Sequence, residues 1–408
     1  MQDIFQNVGR ELPFILLLLA LLGFRWRVTP RASVFIRAPM DKIFPLVDFS
    51  EGDNQRWQRT RVTCTRIDAP GEVYRLTFVT ALATGSVQSS NALFEVVKRD
   101  APRLIEVRRV GLEGKSDHSE LLRMRTELSP ERDGTRFRIT YEWGPRPLLA
   151  QILGRADLWG SAYRIKGVAE TGVPDYRTDA LISAGLALVT GAISLWAFAF
   201  AFGWGIALLL LAALLVHEFG HLLAYRLIGQ PWGRMVFLPF LGAVAVPRLG
   251  FVTQGQSVFA AMMGPAFSIL IPLAAVAYLM SGPSGIGRDL ALSFGLVAVG
   301  LNLFNLLPVE PLDGGVILRS VAARLLGSWA RFGLIAAGLA ILAAGWYAQQ
   351  VLLLIFGALA ILMNIRTRKI DTGLEPLSRL QVVISAFAFM SVVAAYTVFM
   401  RFFLENLS

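Results

Sequence analysis

His217-Glu218-Phe219-Gly220-His221 sits inside the apolar run from Ile206 to Ile228, a stretch long enough to cross a bilayer as a helix. Residues four apart lie on one face of a helix, so the two imidazoles converge on one point. Glu218, one residue on, can address a water held there by a metal ion. That is the chemistry of peptide hydrolysis. The chain holds only three histidines, and two of them are in this motif. The third, His118, stands alone in the polar loop from Lys115 to Glu120 and reads as a surface residue. Ionisable groups are costly inside a membrane, so their presence in such a run points to a functional site.

A catalytic zinc site needs a third protein ligand, with a fourth position left for water. Between His221 and Asp289 there is no Asp, Glu, His or Cys, which excludes a third ligand from a nearby downstream helix. Asp289 belongs to the opposite side of the membrane, and Asp371, Glu375 and Glu405 lie in a charged loop and a tail. Glu310 and Asp313 remain, within Asn305-Leu306-Leu307-Pro308-Val309-Glu310-Pro311-Leu312-Asp313-Gly314-Gly315. Their spacing does not choose between them. Pro311 disfavours helical geometry at Glu310, whereas Asp313 opens the apolar stretch Val316 to Leu326 and is placed at the start of a helix, with a fixed orientation.

The rest of the composition sorts the chain into parts. Over all 408 residues 55% are hydrophobic, too many for an ordinary soluble chain. Residues 25–177 carry 26 Lys+Arg and 19 Asp+Glu, whereas only seven acidic residues follow Ala180, so a soluble domain is joined to a membrane domain. The net charge of +10 comes with no basic helix, finger or aromatic-interleaved patch, and no nucleic-acid partner is expected. Cys64 is the only cysteine, which excludes an internal disulfide and any zinc site built on cysteines, and suits a reducing compartment.

Leu12 to Phe24 is apolar with its positive charge behind rather than in front, and reads as a retained anchor. Further spans are expected at Ala180–Phe202, Ile206–Ile228, Ser257–Met280, Leu290–Leu307, Phe332–Ala348, Val351–Ile365 and Leu380–Met400, giving about seven to eight in all. The loops 226–256, 308–331 and 365–379 hold three, three and four Lys or Arg, against the single Arg288 in the intervening loops. By the positive-inside rule these loops, the soluble domain and the mouth of the site are cytoplasmic, in a multi-pass protein of the cell membrane.

Between the anchor and the spans the period falls to two, with strands expected at Ser33–Ile36, Arg61–Ile67, Glu72–Thr80, Val87–Lys98, Arg103–Val110, Leu121–Leu128 and Thr135–Trp143. A short helix from Ile43 to Val47 and a long closing helix from Pro147 to Glu170 complete the order. This succession resembles the START-like helix-grip domains. The resemblance implies a bent sheet wrapped on the long helix, with an apolar ligand in the cavity between them.

His217 to His221, taken with Asn305 to Gly314, resembles the two motifs H-E-x-x-H and N-x-x-P-x-x-P-x-D-G of the site-2 protease family of intramembrane zinc metalloproteases. The resemblance spans roughly Ala180 to Arg331. It implies one Zn2+ held by His217, His221 and Asp313, with Glu218 as general base and Asn305 as a contact for the substrate or the developing oxyanion. Gly264-Pro265 resembles a further signature, G-P-x-x-N, with Ser268 where Asn is usual. The hairpin-like stretch Met235 to Thr253 fits a strand-pairing surface for substrate.

The expected organisation is an anchor in 1–30, a START-like α+β domain in 31–173, an intramembrane metalloprotease core in 180–331 and additional transmembrane helices in 332–408. The expected function is cleavage of a transmembrane segment of a membrane-protein substrate near its cytoplasmic end. The alternative is a membrane-anchored protein binding a lipid or other apolar ligand, with a vestigial metal site.

Overall fold

Seven stretches whose side chains alternate between apolar and polar form one antiparallel sheet, each burying its apolar face and leaving the other to water. The computed structural model describes residues 25–407, apart from 54, 82–86, 112–120, 240–241, 310–311, 348, 350 and 367–373. The N-terminal apolar run, His118 and Glu310 therefore lie outside the described residues. The strands are β1 (Arg31–Ile36), β2 (Arg61–Arg66), β3 (Val73–Ala81), β4 (Val87–Asp100), β5 (Leu104–Gly111), β6 (Leu121–Glu131) and β7 (Gly134–Trp143), in the sheet order β1-β7-β6-β5-β4-β3-β2. All seven expected strands are present, several a residue or two longer. Their hydrogen-bonded ladders run past the apolar alternation that marks them in the sequence.

Two helices belong to this part, α1 (Met40–Val47) and α2 (Leu148–Thr171). From α2 the side chains of Leu158, Ala162 and Ile165, at helical spacing, are fully buried with Ile36, Phe137 and Ile139 of the sheet and Ile43 of α1. The long helix thus packs its apolar stripe on the buried face of the sheet. Cys64 lies inside the same core, and burial pushes its thiol up to about 12, so it packs as a small apolar side chain.

The chain divides into two compact units, one ending at Leu186 and the other running from Ala187 to Ser408; the boundary falls within α3 (Tyr176–Leu227). The first unit includes a fully buried carboxylate, Asp179, in the first turn of α3. Arg164 of α2 donates to it at 2.8 Å, Arg59 pairs with it as well, and Arg164 also reaches the Trp57 carbonyl at 3.2 Å.

The second unit consists of the remainder of α3, a hairpin of β8 (Arg234–Leu238) and β9 (Gly242–Val246), and helices α4 (Gln254–Ser268), α5 (Leu270–Met280), α6 (Ile286–Asn305), α7 (Asp313–Leu326), α8 (Ala330–Tyr347), α9 (Val351–Arg366) and α10 (Arg379–Glu405). Among the described residues five helical segments are long and apolar enough to cross a membrane, where the sequence suggests seven to eight spans. Two physical reasons account for the difference. The runs Ala180–Phe202 and Ile206–Ile228 are two helical stretches that meet at Gly203, whose non-helical φ of 80° is the left-handed conformation that glycine tolerates, and as the single element α3 they contribute one of the five. The run Val351–Ile365 forms a helix of only 16 residues. Large apolar side chains such as Leu188, Trp196 and Phe200 stand outward on α3, at 75%, 66% and 81% exposure. Such a surface is stable against lipid and not against water, so the chain is a membrane protein.

Replacing Asp179 by Ala leaves two guanidinium groups facing a buried hole. The expected cost is about 3–5 kcal/mol, read as accelerated hydrogen exchange along α2 from Ser161 to Arg164; protection unchanged from the parent would show that the pair contributes nothing.

Candidate metal and proteolytic site

His217 and His221 lie on the inner face of α3, at 2% and 8% exposure, and Glu218 between them is at 3%. Asp313 is the first residue of α7, where the positive end of the helix dipole favours a carboxylate. Its Oδ2 stands 3.1 Å from His217 Nε2 and 3.5 Å from His221 Nε2, and the two Nε2 atoms are 3.1 Å apart. The four ionisable residues singled out in the sequence thus meet in one place. A ligand atom of Glu218 lies within 4.8 Å of those of the two histidines.

The partner on the far side of each ring calls for a proton on Nδ1. His221 Nδ1 faces the carbonyl of Ala260 at 2.7 Å, and His217 Nδ1 faces Oδ1 of Asn302 at 2.8 Å. A neutral imidazole that donates from Nδ1 has a bare lone pair at Nε2. With both rings neutral, two lone pairs and a carboxylate oxygen point at one another, and the arrangement calls for a cation among them, a proton on a ring nitrogen or a metal ion. A tetrahedral zinc ion with bonds of about 2.0–2.1 Å would space its donors roughly 3.3–3.4 Å apart. The observed spacings bracket that value, so the donor set fits zinc.

Close helix packing brings the rings to this point. A side chain at Gly264 of α4 would run into both imidazoles, and one at Gly220 would run into the backbone of Met263. Bare Cα atoms at these two positions let α3 and α4 approach each other. Ser268, four residues beyond Gly264, is fully buried, and its hydroxyl finds no hydrogen-bond partner among the described residues. Ile269 separates α4 from α5, and the carbonyl of Pro265 near this break is taken by the Tyr396 hydroxyl of α10 at 2.7 Å.

Asn305 ends α6 and is half-buried, with no side-chain hydrogen bond among the described residues. Asn302, one turn earlier and fully buried, meets His217 instead. The sequence held half of the signal: an amide set among leucines in a membrane helix has to find a polar partner, but Asn305 offers the same signal three residues on. The β8–β9 hairpin also reaches the site. Tyr225 donates to the Ala245 carbonyl at 3.0 Å, and the Ala245 N–H faces the Glu218 carboxylate. Oε2 of Glu218 is buried without a hydrogen-bond partner among the described residues.

Comparison with known proteins adds the chemistry by name. The chain is 31% identical over 123 residues to "Putative zinc metalloprotease sll0528" of Synechocystis sp., covering 30% of this chain and 32% of that protein. It is 33% identical over 136 residues to "Putative zinc metalloprotease Rip3" of Mycobacterium tuberculosis, covering 32% and 34%. Both names specify the metal that the donor set fits. The matched part spans about a third of the length of these relatives. No protein-family model matches the chain. Among solved structures, Ara h 8.0201 is 16% identical with a TM-score of 0.28, covering 35% of this chain and 98% of its own. Protein Ms6760 from Mycobacterium smegmatis is 16% identical with a TM-score of 0.27, covering 38% and 92%.

Gly264→Ala places a methyl group where the two imidazoles stand. Zinc retained by the purified protein is expected to fall at least about tenfold, while a Gly250→Ala control, with open space at its Cβ, keeps its zinc. Full zinc retention in the Gly264 variant would mean that the close approach is not required.

Proposed function

We propose that this protein is an intramembrane zinc endopeptidase of the site-2 protease type, cleaving a transmembrane segment of a membrane-anchored substrate near its cytoplasmic side. The observation that carries this reading is the convergence of His217 Nε2, His221 Nε2 and Asp313 Oδ2 within 3.5 Å of one another, beside a buried Glu218 carboxylate on a membrane helix. His217, His221 and Asp313 would hold the ion. Bound zinc supplies Lewis acidity toward the scissile carbonyl and the attacking water.

The remaining work falls to the chain itself. Glu218 takes the proton of the water whose oxygen attacks the carbonyl carbon, and returns it to the amine nitrogen as the C–N bond breaks. Its unpartnered Oε2 suits that task. A helical substrate has to unwind first, because its carbonyls are already hydrogen-bonded. Ala245 lies against both Glu218 and Tyr225, so an unwound segment paired with the β8–β9 hairpin as an added strand would run past the carboxylate. Asn305, at the end of α6, is within the same motif as Asp313 and is proposed as a softer contact for substrate or oxyanion.

The basic loops favour a multi-pass arrangement with the site's mouth and the START-like unit on the cytoplasmic side. That unit supports a second, compatible role. A cavity of about 410 Å³, lined by Phe49, Trp57, Leu76, Phe94, Met124 and Tyr141 among others, has the size and apolar character of a small-molecule site. An apolar ligand there would regulate the enzyme or report on the membrane. As an apolar-ligand binder with a vestigial metal site, the protein would have no use for so complete a donor set.

Purified protein incubated with membrane-anchored candidate substrates is expected to cleave one, and to stop on zinc chelation. Glu218→Gln should abolish cleavage, by at least about 100-fold, with zinc still bound. Zinc loss in that variant, or unchanged cleavage, would remove Glu218 from the role.

Asp313→Ala is expected to lower bound zinc sharply and abolish activity, whereas Glu310→Ala keeps its zinc. The reverse pattern in metal analysis would transfer the ligand role to Glu310.

A further inference from the structure

We propose that Asn302 is a positioning residue that holds His217 in the tautomer and ring orientation needed to bind zinc. The proposal rests on the zinc-site reading above. Asn302 is fully buried on α6, and the two ends of its amide meet different partners. Nδ2 stands 2.8 Å from the Ala298 carbonyl, which can only accept, so that end of the amide is the donor. Oδ1 is therefore the end 2.8 Å from His217 Nδ1, and it obliges that nitrogen to carry the proton. The lone pair of His217 is left on Nε2, directed at Asp313 and His221.

The two imidazoles are held by different means. His221 is oriented by a backbone carbonyl, Ala260 of α4, which comes with the fold. His217 depends on a single side chain. That the side chain is an amide has its own logic. The pocket already contains the carboxylates of Glu218 and Asp313, and a third would add negative charge to a buried place, whereas the amide oxygen orients the ring without charge. Through its side-chain bond to the Ala298 carbonyl, one amide ties the last turns of α6 to the metal-facing side of α3.

The test uses the purified full-length protein and three variants. Zinc affinity is measured by competition with a chelator, the visible spectrum of the Co2+-loaded protein reports tetrahedral coordination, and melting in excess chelator reports folding without metal. Asn302→Leu removes both ends of the amide. Asn302→Ser keeps a bond back to Ala298 but is too short for His217, so it serves where the Leu variant does not fold. Both are expected to bind zinc about 10–100-fold more weakly, with a weakened tetrahedral Co2+ spectrum. Asn302→Asp restores the acceptor, loses the bond to Ala298 and buries a charge. A merely structural role predicts that it is as damaging as Leu, whereas the positioning role predicts recovery of zinc affinity to within about threefold of the parent. Leu and Ser variants that bind zinc as the parent does, or an Asp variant no better than Leu, would overturn the proposal. A parent protein that takes up no zinc would bring down the zinc-site reading, and the positioning role with it.

Discussion

Three acceptors aimed at one buried point are the constraint on which the membrane unit depends. His217 Nε2, His221 Nε2 and Asp313 Oδ2 repel one another without a cation, and the chain nonetheless brings them within 3.5 Å. Much of the surrounding structure supports that approach. Gly220 and Gly264 remove the side chains that would separate α3 from α4, and the N-terminus of α7 offers its dipole to Asp313. Asn302 and Ala260 turn the rings. Such a buried donor set suits a metal ion, and polar groups gathered in this way are the pattern expected where function overrides local stability.

Much of this was legible in the sequence, for identifiable reasons. A strand with one wet face has to alternate, so β1 to β7 announced themselves, and α2 closed the sheet where its apolar spacing lengthened to the helical period. The motif around His217 was legible because charge in a membrane run is rare. Asp313 could be set apart from Glu310 because proline and glycine restrict where a helix can begin, and α7 does begin at Asp313.

Other features were hidden for equally physical reasons. Hydropathy registers apolar length and not backbone angle, so the two runs were visible while the left-handed residue at which they meet, Gly203, was not. Asn302 lies three residues before Asn305, and nothing in spacing or composition tells which amide faces the histidines. The rotation of α6 decides, and rotation is set by packing: Leu292, Val299 and Asn302 share its buried side. The glycine roles were equally silent, since a close approach involves two helices and a sequence shows one at a time.

The hydroxyl of Tyr396 on the Pro265 carbonyl has a consequence for the order in which the molecule is made. That carbonyl lies next to Gly264, which packs on both imidazoles, and its partner comes from α10, synthesised well after α3, α4 and α7. A growing chain therefore carries all its metal-facing groups before the helix that braces them has left the ribosome. Until α10 docks, a buried carbonyl beside the site lacks this donor, and α4 lacks the brace it supplies next to the histidines.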